Sequence, residues 1–189
     1  MDDPFDYPKV RIRQPGKLIP GRASYEIFHG RRELLAVATE TTEGHSRLQA
    51  ITKMLPGTRT LAVTTAAGEP MLTLVKRSGE WVAELTDPDG APIGRISIGG
   101  SRRHYTLLDE KDQVAGKAVG DLAVKDFSLT GANGERYGRL RKTWAGPWKE
   151  WFTSADHYTV TFTGPVPPRV RTLIVMMAIV LDLARYEPS

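Results

Sequence analysis

The chain has 189 residues, 40% hydrophobic and 25% charged, which suits one folded domain with a buried core and not a disordered tract. Its 26 Lys and Arg against 22 Asp and Glu give a formal net charge of +4 and an isoelectric point near 9.4, a balance that favours anionic partners such as phospholipid headgroups, nucleic acid or acidic protein. With no cysteine, disulfides, thiol catalysis and Cys-ligated zinc are excluded.

The N-terminal Met-Asp-Asp-Pro-Phe-Asp-Tyr-Pro is acidic and broken by proline, the opposite of a signal peptide's basic and then apolar layout, so a cytoplasmic protein is expected. Residues 1–23, with Pro4, Pro8, Pro15 and Pro20, predict an extended arm that lies against a single domain over 24–189 or recruits a protein partner. From Ser24 short alternating runs begin: Tyr25, Ile27 with Phe28, then Glu33 to Thr39, each of strand length. Thr42 to Lys53 is ambiguous; Ser46 ahead of Leu48, Ile51 and Leu55 could cap a short helix, and Pro56-Gly57 ends it.

The middle of the chain repeats. Gly-Glu-Pro-Met-Leu-Thr-Leu, Gly-Ala-Pro-Ile-Gly-Arg-Ile, Asp-Gln-Val-Ala-Gly-Lys-Ala and Gly-Glu-Arg-Tyr-Gly-Arg-Leu start at 68, 90, 112 and 134, a period of 22 residues. Each copy follows a polar turn rich in Gly, Asn or Asp, residues that supply the positive φ of tight hairpins. Successive hairpins without helices build an antiparallel sheet, and a sheet of this size closes into a barrel or splits into a sandwich. Period-two alternation puts Leu72, Leu74, Gly94, Ile96, Gly116, Ala118, Gly138 and Leu140 on the inner wall and Thr73, Arg95, Lys117 and Arg139 outside. Glycine at the same inner position in three of the four copies suggests close approach by another element.

The C-terminal segment is the expected element. Pro167-Pro168 suits a first helical turn, and from Leu173 to Leu181 every residue is apolar, so the helix must be buried all round or sit in a membrane. A span needs about 20 apolar residues, and Asp182 ends this run well short of that. A helix over about 168–186, roughly 27 Å long at ~1.5 Å per residue, matches the axis of an antiparallel barrel of about 12 strands.

Trp144-x-Gly146, Glu150-x-Phe152-x-x-Ala155-Asp156 and the terminal apolar helix ending Asp-Leu-Ala-Arg-Tyr-Glu resemble the end of the phospholipid scramblase family, which is grouped with the LURP-one-related proteins and the tubby C-terminal domain. With the hairpin repeats the likeness covers roughly residues 24–187. The resemblance implies a mainly β fold, a closed antiparallel barrel of about 12 strands around a hydrophobic C-terminal α-helix, and a bacterial-type member. It departs from the family where scramblases carry a segment proposed to bind calcium. Here Thr-Gly-Pro-Val-Pro-Pro-Arg (163–169) holds no carboxylate, and a hard cation wants about six to eight oxygen ligands. Only Asp156 remains as a weak metal candidate, and as the residue opening a strand it is better read as a turn cap. No cofactor is expected, and the cysteines that anchor animal members are absent.

No P-loop, G-x-G-x-x-G, nucleophile elbow or zinc-protease motif occurs, so a non-enzymatic protein is expected. His29, His45, His104 and His157 are scattered and read as solvent-facing or locally bonded. Arg102 and Arg103 lack a recognition helix or stacking platform, so no nucleic-acid partner is assigned. Electrostatics carry more. Arg95, Lys117 and Arg139, two strands apart on the outer wall at about 9–10 Å, form a basic stripe, and Arg136, Arg141, Lys142 and Lys149 extend one end of it. Such a patch gains about 1 kcal/mol per Lys or Arg near an anionic membrane. Tubby domains bind phosphoinositide headgroups through basic residues, so the resemblance points to the same partner. Trp144, Trp148 and Trp151 flank the patch and either plug one barrel end or meet a membrane interface. Peripheral binding of anionic phospholipid is therefore expected, with a scaffold or small-ligand barrel as the alternative and active lipid scrambling as the weakest.

Overall fold

The computed structural model describes residues 4–15, 23–30, 32–41, 58–143 and 157–184. Twelve strands follow one another as antiparallel neighbours: β1 (Lys9–Arg13), β2 (Ser24–His29), β3 (Glu33–Glu40), β4 (Arg59–Thr65), β5 (Pro70–Lys76), β6 (Val82–Thr86), β7 (Pro92–Ile98), β8 (His104–Leu108), β9 (Val114–Gly120), β10 (Asp126–Gly131), β11 (Arg136–Thr143) and β12 (His157–Phe162). The sheet closes because β1 pairs with both β2 and β12, Ile12 lying opposite Ile27 on one side and Tyr158 on the other. Closure leaves no strand edge unpaired.

The tract read as an arm thus contributes the closing strand. Pro8 and Pro15 flank Lys-Val-Arg-Ile-Arg instead of interrupting it, so every ladder N–H remains available. Ahead of it Phe5 is fully buried. The ambiguous stretch 42–55 lies outside the described residues.

Along the axis runs the one described helix, α1 (Pro168–Leu183), with Pro at its first turn. Every residue from Leu173 to Leu183 is buried, and the apolar ones form one core with the inner wall. Each large apolar side chain removed from water stabilises by about 1.5–3 kcal/mol, so the helix and the strands need one another. No described helix is long and apolar enough to cross a membrane.

The helix carries its charges against its own dipole, basic residues near the N-terminus and an acid near the C-terminus. Tertiary partners compensate at both ends. Arg171 donates to the Phe5 carbonyl at 3.3 Å, pairs with Asp6 at 3.1 Å and lies over the Phe162 ring at 4.8 Å. Asp182 accepts from Tyr25 Oη at 2.8 Å and Tyr158 Oη at 3.3 Å, and Lys142 sits 5.2 Å from the centre of the Tyr158 ring. These contacts fix how far the helix enters the barrel.

Burial alternates as the repeat predicts: Leu72, Leu74, Gly94, Ile96, Gly116, Ala118, Gly138 and Leu140 face inward. The expected close approach by the helix holds at one of the three inward glycines. Only Gly94 faces the helix, where an added methyl would lie 3.2 Å from Leu173 and strike the Leu108 carbonyl. At Gly116 and Gly138 the crowding comes from the sheet itself, from the carbonyls of Thr130 and Thr161. Each of these glycines adjoins a register shift, at Leu85/Thr86, Leu107/Leu108 or Leu129/Thr130. They serve β-bulges, which bend strands into a closed wall.

Candidate functional site

The predicted stripe is real as geometry but oblique. Thr106 pairs with both Ser97 and Lys117, and Thr130 with both Lys117 and Arg136, so Lys117 and Arg136 share one row across the outer wall. Arg95 lies opposite Leu108 and Arg139 opposite Ser128, each two residues along from that row. The straight 9–10 Å spacing therefore does not hold, because barrel closure staggers the strands.

Acids balance much of the stripe. Arg95 pairs with Asp112, while Arg139 and Arg141 converge on Asp126 at 3.3 and 3.2 Å. Lys142 is a correction: it faces the interior and is 5% exposed, because in β11 it continues the inward alternation of Gly138 and Leu140. Lys149 and Asp156, with Trp144, Trp148 and Trp151, lie outside the described residues.

The less neutralised face is on the next strands. Lys9, Arg11 and Arg13 point outward from β1, whose inward residues are Val10 and Ile12. Through Thr161, Thr159 and His157 of β12 they align with Arg139, Arg141 and Thr143 of β11. A groove of 670 Å³ runs along this wall, lined by Lys9, Arg11, Arg13, Arg32, Thr143, His157 and Thr159, with Phe28 and Gly30 on the β2 side and no carboxylate among the described lining residues. Arg13 is held by Glu26, which accepts from its Nε at 3.0 Å, and rests on the Phe28 ring at 5.2 Å. Tyr7 stacks on His29 at 4.0 Å between ring centres. The resulting row offers guanidinium and ammonium donors beside threonine hydroxyls, groups that suit phosphate oxygens. A sequence signal existed: Lys-Val-Arg-Ile-Arg alternates basic and apolar residues, the pattern of a strand with one charged face.

Beneath this wall sits the buried cluster of Tyr25, Tyr158, Asp182 and Lys142. Burial, and then the Asp182 charge, raise the Tyr25 hydroxyl far above its ordinary range, so it stays a donor. Nearby Glu40 binds Arg59 at 2.8 and 2.9 Å and accepts from the Ala23 amide at 2.9 Å. Burial alone would raise the Glu40 carboxyl, but these donors outweigh it and hold it below its ordinary value. Among the described residues no cluster of three or more His, Asp or Glu could hold a metal ion.

Comparison with known proteins decides the family. Residues 24–188 match the sequence profile of the Scramblase family. The chain belongs to the scramblase family. It is 27% identical over 116 residues to phospholipid scramblase 1 of Mus musculus and 26% identical over 113 residues to that of Rattus norvegicus, in each case over 55% of this chain and 34% of the relative. The matched stretch therefore spans about a third of those relatives' length. A solved structure of an Arabidopsis thaliana protein superposes with a TM-score of 0.57 over 97% of this chain and 96% of that one at 10% identity, a likeness of fold alone. This scramblase-family barrel carries Thr163, Gly164, Pro165, Val166 and Pro167 between β12 and α1, a link with no carboxylate.

Proposed function

We propose that this scramblase-family barrel is a non-enzymatic module that binds anionic phospholipid headgroups peripherally at a membrane surface. The observation that carries the reading is the groove along β11, β12, β1 and β2, where Lys9, Arg11 and Arg32, with Arg13 held by Glu26, line a concave wall that has no carboxylate among the described lining residues. Lys117 and Arg136 of the neighbouring stripe add long-range attraction, while Arg95, Arg139 and Arg141 contribute less because acids stand beside them. Family membership supports a phospholipid partner. The alternative of a ligand held inside the barrel is less well supported, since the helix fills the interior. Active lipid translocation is weaker again, because it would take the helix away from its strands.

Co-sedimentation with phosphatidylcholine vesicles, with and without phosphatidylserine, tests the proposal. Binding should require the anionic lipid and fall as salt screens it. Replacing Lys9 and Arg11 by Gln should weaken it roughly fivefold per charge at low salt. Equal pelleting with neutral vesicles, or none with either, would exclude this function.

A further inference from the structure

The two ends of the barrel differ in charge and in what they expose. At the end where α1 begins, the described hairpin tips are acidic on balance: Glu69, then Asp87 and Asp89, then Asp109, Glu110 and Asp112, then Glu135, against Arg32 and Lys111. Of these, Asp112 is taken by Arg95 and Glu110 by Arg169. At the end where α1 stops, the described tips carry Arg77, Arg102, Arg103 and Lys125 against Glu80 and Asp121. Arg77 is held by Glu84 at 2.9 Å. Asp121 turns its carboxylate into its own hairpin, accepting from the amides of Lys125 at 2.8 Å and Asp126 at 3.3 Å. The β7–β8 tip, Gly-Gly-Ser-Arg-Arg, carries two guanidinium groups and no acid of its own, with Asp121 of the next tip in electrostatic reach of Arg103.

The same end exposes apolar side chains. Leu122, at the β9–β10 tip, is 86% exposed, Trp81 49% and Val119 45%. Trp81 accepts the Ile98 amide through its carbonyl, and Gly120 and Arg103 are joined by a backbone hydrogen bond, so Trp81, the Arg102–Arg103 tip and Val119 with Leu122 follow one another around the rim. Arg102 and Val124 adopt φ of 54°, a conformation glycine takes without strain. Among the described residues the acidic end places Gly30, Gly68, Gly90, Asp112 and Gly134 at its left-handed positions and this rim Gly79, Arg102 and Val124, so two of three are strained non-glycine residues here against one of five there.

We propose that the barrel meets an anionic bilayer end-on, with the rim of Trp81, Arg102, Arg103 and Leu122 in the interface and the acidic tips directed away. The inference rests on the lipid-binding reading and adds an orientation to it. Trp belongs at interfacial depth and Arg among anionic headgroups, while the acidic end would be repelled. The apolar residues stand on separate tips with charges between them, which suits a fluid interface better than the continuous patch a protein partner fills. Arg13, Thr143 and His157 bring one end of the groove to the same rim.

Because the chain has no cysteine, a single introduced thiol takes a label at one site only. Leu122→Cys and, at the acidic end, Asn133→Cys are each labelled with a polarity-sensitive fluorophore and mixed with phosphatidylcholine–phosphatidylserine vesicles. The label at 122 should shift to the blue and be quenched by a lipid-borne quencher, and the label at 133 should do neither. Unlabelled Leu122→Ser and Arg103→Gln should each weaken vesicle binding roughly fivefold while leaving titration with soluble inositol hexakisphosphate unchanged. Vesicle binding with a silent label at 122, or a blue shift at 133, overturns the orientation and leaves the lipid reading standing. A chain that binds neither vesicles nor the soluble probe overturns both.

Discussion

Four turns at the Pro168 end of the barrel place a left-handed residue at the same step of the repeat: Gly68, Gly90, Asp112 and Gly134. At the Leu183 end the left-handed residues among those described are Gly79, Arg102 and Val124. The first set is closed by local backbone chemistry. Asp87 Oδ1 accepts the amides of Asp89 and Ala91, and Asp109 Oδ1 those of Lys111 and Gln113. The second end depends on its interior, where Lys76 is fully buried and caps its own hairpin through the Arg77 carbonyl at 2.8 Å, and Asp182 gathers two tyrosines. Local turns serve both ends, Asp121 closing its hairpin as Asp87 and Asp109 close theirs. The helix also has a long-range partner at each, Arg171 with Phe5 and Asp6 at the first end and Asp182 with Tyr25 and Tyr158 at the second. The second end differs in burying its cluster together with Lys142.

The largest expected effect sharpens that contrast at the wall between the ends. Gly94→Val should cost about 4 kcal/mol in urea unfolding, since the new side chain strikes the Leu108 carbonyl and Leu173 from an unfavourable φ. Gly134→Ala, with nothing within 4 Å but a φ of 87°, should cost only about 1–2 kcal/mol. Next comes Asp182→Ala, expected to cost about 3 kcal/mol because two buried hydroxyls lose their shared charged acceptor beside buried Lys142. A loss below about 1 kcal/mol would break the claim that this end rests on its interior.

A smaller effect follows from Tyr25. Its folded pKa is raised above the ordinary 10.0, so its contribution is full below about pH 10 and is lost as pH rises from there toward the folded value. Thermal melts should show an alkaline fall that Tyr25→Phe flattens, at a neutral-pH cost of about 1 kcal/mol. The smallest change should be a gain: Arg102→Gly relieves the left-handed strain and should stabilise by roughly 0.5–1 kcal/mol, while vesicle affinity falls. Stabilisation without loss of affinity would remove Arg102 from the docking rim.

Much of the fold was legible because the hairpins β5 to β11 repeat turn chemistry at a fixed period, and alternation then sorts inner from outer residues. The same rule places Lys76 after Leu72 and Leu74, and Lys142 after Gly138 and Leu140. Charge had suggested an outward Lys142, and the alternation prevails because the strand end offers polar partners inside. The closing strand was missed because its prolines are conspicuous and its pairing with β12, about 150 residues away in sequence, leaves no local trace. The groove was missed with it, since three of its four named cations, Lys9, Arg11 and Arg13, come from β1. Bulge glycines and helix-facing glycines look alike in a sequence, and only the register separates them.

The order of manufacture has its own consequence. Every strand precedes the helix in the chain, and the first strand closes against the last, so the ribosome delivers the walls of the container before its contents. Until the segment after Pro168 has emerged, the nascent strands have apolar faces and nothing to cover them, a state prone to association. Chaperone dependence during synthesis, and a single late cooperative folding step in place of gradual assembly, follow from putting the filling last.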